Sequence, residues 1–180
     1  MITIFFIGFL FSFLGYTPPG VLNMTALKIS LRGNKKDFKQ FTLGVSLVVF
    51  IQAFLSIYLT EYIFKNPMFL ELLEKVGIIV LFFLSIFFYG QNKKEKKQVE
   101  IDNKKKHSFF SGIILSALNM FSIPFFCGIV AFLMAFNLIK FDTTSTFIFV
   151  LGSVIGAYLI LFLYGKYAAN IQKKNRKFNK

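Results

Sequence analysis

A chain of 180 residues with one cysteine, Cys127, and one histidine, His107, is short of the parts for several common kinds of site. A lone cysteine excludes an intrachain disulfide, a CxxC redox pair and a zinc knuckle. His107 stands in a lysine-rich stretch and reads as a solvated loop residue. More telling is where acidic residues are missing. No long apolar segment holds an aspartate, glutamate or histidine in its interior. That leaves no carboxylate relay for protons at depth and no ligand cage for a bare metal cation. It also leaves no nucleophile–base pair, so the chain is not read as an enzyme, and no cofactor is called for.

What is present is apolar. The sequence is 56% hydrophobic and contains 27 phenylalanines, in long runs with few charges. Such runs mark a polytopic membrane protein. The net charge of +13 is confined to a few loops, so it orients the chain in a membrane and does not signal nucleic-acid binding. The N-terminal stretch MITIFFIGFLFSFLGYTPPG has no lysine or arginine ahead of its apolar run. It reads as a first span, not a cleaved leader.

Five apolar segments follow one another: about 2–31, 40–60, 76–90, 109–139 and 143–165. An upright helix crosses the hydrocarbon in about 20 residues. The first and fourth segments run to about 30, or ~45 Å as unbroken helices. Each carries proline in the middle, Pro18-Pro19 in one and Pro124 in the other. Each is therefore expected to be a broken, tilted or re-entrant helix. The positive charge lies in 32–39, 91–108 and the tail 166–180, whereas 61–75 and 140–142 are poor in it. Five crossings put the three basic regions on one side, the cytoplasm, with the N-terminus outside. Their lysines are suited to contact with anionic lipid.

The chain also repeats itself. FFIGFLFSFLGY at 5–16 matches FFSGIILSALNM at 109–120, pairing Phe5 with Phe109, Gly8 with Gly112 and Ser12 with Ser116. A proline break follows each copy, and TLGVSL around Gly44 matches VLGSVI around Gly152. Because Phe5 starts outside and Phe109 inside, the copies enter the membrane from opposite faces. An inverted repeat with a broken helix in each half is the pattern of transporters that bind substrate where the breaks meet. The expected fold is thus an all-α, polytopic membrane helical bundle, an inverted repeat of three-span units with proline-broken first helices. The first repeat is expected to span 1–90, a basic loop 91–108, and the second repeat 109–180, where two spans are visible and the sixth is expected either to have been lost or to follow the given residues.

Proline lacks an N–H, so Pro18 and Pro19 would free the carbonyls of Leu14 and Gly15, and Pro124 that of Met120. Past the first break a helix starting near Gly20 would aim its unpaired N–H groups at an anion such as a carboxylate. Thr17, Pro18, Pro19, Gly20 and Asn23 from one half, with Asn119, Ser122 and Pro124 from the other, form the expected substrate site. Gln52 is costly against lipid and should face the same interior, with Ser46, Tyr58 and Tyr158 as further polar points. Lys28 reads as a snorkelling residue and Cys127 as a packing residue.

These motifs resemble the LysE/RhtB family of bacterial amino-acid exporters over most of the chain. The break TPPGVLN stands where that family has a Pro-Gly-Pro-type break, and Arg32-Gly33 follows at the family's spacing. Gly44 fits the glycine of the second span. NMFSIPFF keeps the family's asparagine at Asn119 and its phenylalanine pair at Phe125-Phe126. Departures are Pro19 for a glycine, Met120 and Phe121 for a Pro-Lys pair, and Asp37 for a common glycine. The lone Cys127 and His107 and the acid-free spans do not fit thiol-redox, nickel or manganese relatives. The resemblance implies export of an amino acid or similar small zwitterion across the bacterial cytoplasmic membrane, coupled to the proton gradient. Its partners would be that small molecule and membrane lipid, with no nucleic acid; homo-oligomerisation is left open. The alternative is a non-transporting scaffold, the remnant of an exporter.

Overall fold

A computed structural model describes residues 1–66, 68, 82, 108–119 and 121–178. The third apolar segment apart from Phe82, the basic loop 91–107 with His107, and Met120 lie outside the described residues. Six helices are described: α1 (Ile2–Gly15), α2 (Val21–Leu31), α3 (Lys35–Lys65), α4 (Ser108–Ala117), α5 (Ser122–Ala135) and α6 (Thr143–Phe178). Two compact units are present, one made of Met1–Tyr58 with Lys105–Lys180, the other of Leu59–Lys104. In the second, the described end of α3 carries a Glu61–Lys65 ion pair at 3.9 Å. The following residue, Asn66, donates from Nδ2 to the Tyr62 carbonyl.

Local chemistry sets the boundaries. α1 stops at Gly15 because Pro18 bars Thr17 from helical geometry and Pro19 supplies no N–H. Gly20, extended, starts α2 without a side-chain cap. α2 closes at Gly33, whose φ of 80° is the left-handed conformation that a glycine adopts without strain. Asn34 at once caps α3, its Oδ1 accepting from the Lys36 and Asp37 amides at 3.1 and 3.3 Å. Arg32-Gly33 is therefore a stop signal, followed one residue later by a start. Asp142 caps α6 in the same way, accepting from the Ser145 amide at 3.1 Å. The Ser145 hydroxyl and amide hold the Asp142 carboxyl below its usual range.

The second break differs from expectation. It falls at Leu118–Phe121, and Pro124 sits inside the first turn of α5. There its missing N–H has no intrahelical acceptor to lose. Its ring would clash with the carbonyl four residues back, so the interruption lies on its N-terminal side. α4 and α5 bend by 59° across that break and together are apolar enough for one span. α3 and the Thr143–Tyr167 part of α6 are each long enough alone, while α1 and α2 are shorter apolar helices of 14 and 11 residues.

The two halves exchange their first helices. α1 lies on α6: a Cβ on Gly8 would run into the Phe149 carbonyl, and one on Gly152 into the carbonyl of Phe5 and the amide of Phe9. α4 lies on α3 in the same manner. A Cβ on Gly112 would strike the Phe41 carbonyl, and one on Gly44 the carbonyl of Phe109 and the amide of Ile113. Each contact in one pair is the repeat-equivalent of a contact in the other. Small residues at helix crossings let backbones approach closely where lipid offers no hydrophobic drive to associate. The outward faces match as well. Phe6, Leu10 and Leu14 are exposed on α1, as are Phe110, Ile114 and Leu118 at the equivalent places. Leu43 and Leu47 on α3 correspond likewise to exposed Leu151 and Ile155 on α6. Inside sit Ser12, Asn23, Gln52, Ser56, Ser116, Ser122 and Ser153, all buried. Apolar side chains outward and polar ones inward is the arrangement a bilayer demands.

Gly112→Leu or Gly8→Leu should therefore force a crossing apart, lowering stability by about 1–3 kcal/mol. Gly128→Leu, where a Cβ meets nothing within 4 Å, should behave as wild type. Thermal unfolding midpoints in mild detergent check this.

Candidate functional site

At the first break nearly every carbonyl finds a donor. The Thr17 hydroxyl donates to the Phe13 carbonyl at 2.7 Å, and the Thr17 amide donates to that of Leu14 at 3.1 Å. The Leu14 carbonyl is thus not left open for a ligand, contrary to the sequence expectation, because the chain turns tightly enough for Thr17 to reach it. Asn23 folds back from α2, and its Nδ2 donates to the carbonyls of Tyr16 at 2.6 Å and Pro18 at 2.8 Å. From α6, the Tyr164 hydroxyl donates to the Thr17 carbonyl at 2.8 Å.

The second break is held by α3. Gln52 Nε2 donates to the Ser116 carbonyl at 3.1 Å, and the Ser56 hydroxyl donates to those of Ile123 at 3.2 Å and Gln52 at 2.7 Å. Ser56 and Tyr164 stand at the same interval past their packing glycines, Gly44 and Gly152. Each long helix therefore offers a hydroxyl at the same register to the break in the other half. An unpaired carbonyl inside a bilayer costs several kcal/mol, which accounts for the donors at Tyr16, Thr17 and Pro18; the Ser116 carbonyl also accepts from the Asn119 amide at 3.1 Å.

The two breaks meet. Tyr16, at the end of α1, and Ser122, at the start of α5, share a buried hydrogen bond of 2.9 Å. The Phe125 ring covers Gly15, leaving no room there for a Cβ. Among the described residues five buried polar atoms have no partner: Asn23 Oδ1 and Gln52 Oε1, whose amide nitrogens hold the two breaks, and Ser12 Oγ, Ser46 Oγ and Ser116 Oγ. Ser12 and Ser116 are repeat-equivalents, each wholly buried one turn before its break.

Of the expected site residues, Asn23, Gln52 and Ser122 are buried at the breaks and Asn119 is half-buried between α4 and α5. Thr17, Pro18, Pro19, Gly20 and Pro124 are exposed. Thr17 and Pro18 belong to the network through their carbonyls. Ser46 is buried and Tyr158 half-buried, while Tyr58 and Lys28 are exposed and the half-buried Cys127 thiol donates to the Ser56 carbonyl at 3.7 Å. Sequence reasoning missed Tyr16, Ser56, Tyr164 and the Ser12–Ser116 pair. The serines were visible in the repeat alignment; the two hydroxyls were visible as equal intervals after the two glycines.

These features define a polytopic helical membrane protein whose two broken helices meet at a buried polar junction. The chain belongs to the LysE type translocator family, whose model matches residues 5–180. It is thus a membrane transporter in general class, in keeping with the resemblance read from its motifs. No curated protein matches the chain, and no solved structure does.

The Tyr16–Ser122 contact should be energetically coupled. In a double-mutant cycle with Tyr16→Phe and Ser122→Ala, a coupling of about 0.5–1.5 kcal/mol is expected in thermal or denaturant unfolding.

Proposed function

We propose that the chain exports an amino acid or a similar small zwitterion across the bacterial cytoplasmic membrane by alternating access. One observation carries this reading: the breaks of the two halves are joined at Tyr16–Ser122 beside buried polar atoms that lack partners. Buried polar groups are normally paired, so unpaired ones at a junction of broken helices are suited to a polar cargo. The substrate carboxylate would meet the uncapped start of α2, where Gly20 leaves the first N–H groups without a side-chain acceptor. Asn23, Gln52, Asn119 and Ser122 would line the path, and the backbone of Thr17 to Gly20 with Pro124 would shape it. The repeats 1–90 and 109–180 would rock about this point. Their basic segments would lie in the cytoplasm, and the N-terminus outside.

A second reading, a non-transporting scaffold, is favoured by one fact. The carbonyls of Tyr16, Thr17, Pro18, Ser116 and Ile123 are already paired with protein groups. A rigid structural element needs no more than that.

Efflux decides between them. Cells loaded with amino acids and expressing the wild-type chain should lose at least one of them faster than controls. Asn23→Ala and Asn119→Ala should slow that loss by about tenfold or more at equal expression. Equal efflux from both variants would remove the proposed site; failure of the wild-type chain to relieve toxicity of any amino acid would favour the scaffold.

A further inference from the structure

We infer that Asn23 and Gln52 read N–H groups of the cargo, and that the site takes a zwitterion of no net charge in preference to a basic amino acid. This rests on the amino-acid reading above and goes beyond it in naming the groups and the charge class.

The orientation of both amides is forced. Asn23 Nδ2 faces the carbonyls of Tyr16 and Pro18, and Gln52 Nε2 faces that of Ser116. A carbonyl oxygen only accepts, so turning either amide over would set oxygen against oxygen. Asn23 Oδ1 and Gln52 Oε1 must therefore point away from the backbone they support. Both are without a donor, on side chains only 2% and 5% exposed. The same device occurs once at each break. A carboxamide nitrogen ties down the broken backbone and leaves its oxygen as a fixed acceptor.

A buried amide oxygen without a donor costs about 1–3 kcal/mol, which a ligand that brings an N–H recovers. An α-ammonium brings three. The remaining unpartnered atoms, Ser12 Oγ, Ser46 Oγ and Ser116 Oγ, are hydroxyls that donate or accept as needed. Charge selection follows from what is not buried with them. Among the described residues, the buried polar side chains include no aspartate or glutamate. An α-ammonium arrives with its own carboxylate as counter-charge. The second cation of lysine or arginine would have only neutral dipoles, in surroundings where an uncompensated charge is expensive.

Proteoliposomes holding the full chain test this by counterflow, preloaded in turn with leucine, threonine, glutamate or lysine. Leucine or threonine should support exchange, and lysine about tenfold less. N-acetylation of the accepted amino acid removes its ammonium and should weaken its competition by about ten- to hundredfold. Gln52→Leu removes the acceptor oxygen and should lower neutral amino-acid exchange about tenfold, whereas Gln52→Glu, which protonates to keep donating to the Ser116 carbonyl, should retain it. Lysine exchanging as fast as the neutral amino acids, or the N-acetyl compound competing equally, would overturn the proposal. So would a monodisperse Gln52→Leu chain that exchanges neutral amino acids as fast as wild type. No counterflow with any of the four would defeat the amino-acid reading itself, and this inference with it.

Discussion

Interrupted backbone inside a bilayer has to find hydrogen-bond partners, and most of this structure follows from how it finds them. Two helices are broken, one by Pro18 and Pro19 and one ahead of Pro124. In the hydrocarbon of a bilayer no water is available to satisfy carbonyls freed in this way. The donors come instead from α2, α3 and α6: the Asn23 and Gln52 amides and the Ser56 and Tyr164 hydroxyls. Gln52, Ser56 and Tyr164 tie each broken helix to a long helix of the other half, and Asn23 ties the first break to the helix that follows it. Cohesion of the bundle and the presence of a polar junction are therefore consequences of the same constraint.

Symmetry sharpens the point. The short helix of each half lies on the long helix of the other, at glycines pressed against the facing backbone: Gly8 on Phe149 and Gly152 on Phe5, Gly112 on Phe41 and Gly44 on Phe109. This exchange delivers the hydroxyl of one half to the carbonyl of the other. It also aligns the outward apolar stripes, so that lipid meets leucine, isoleucine and phenylalanine while serines face inward. Crossings that admit no Cβ hold the register, and a shift of one residue would carry Ser56 and Tyr164 away from their carbonyls.

Much of this was legible in the sequence, for definite reasons. Proline acts locally, so the break at Pro18-Pro19 and the restart near Gly20 could be placed. The repeat pairs Gly8 with Gly112 and Gly44 with Gly152 turned out to be the packing points. The second break was misplaced because a proline marks where a preceding helix cannot continue, and Pro124 itself tolerates the first turn of α5. The Leu14 carbonyl was expected to be open because a missing N–H was counted without the turn that lets Thr17 substitute. Tyr16 escaped notice because hydrogen bonds between helices depend on crossing geometry, which no single segment encodes; Ser56 and Tyr164 could be read only by comparing their equal intervals after Gly44 and Gly152. Asn23 and Ser122 were found by their place beside the breaks, and Gln52 by cost, since an amide against lipid is unfavourable.

Membership of a translocator family fits a junction whose protein groups are nearly, but not wholly, paired. The paired carbonyls give the junction its stiffness, and the unpaired oxygens give it something left to bind. All of this requires that the two breaks touch within the membrane. Cross-linking in lipid measures that contact most directly, using Tyr16→Cys with Ser122→Cys in a Cys127→Ser background and a short bifunctional thiol reagent. Rapid cross-linking of this pair, with none between Leu14→Cys and Leu118→Cys on the outward faces, is the predicted result. Equal yields from both pairs, or no yield from the first, would contradict the account.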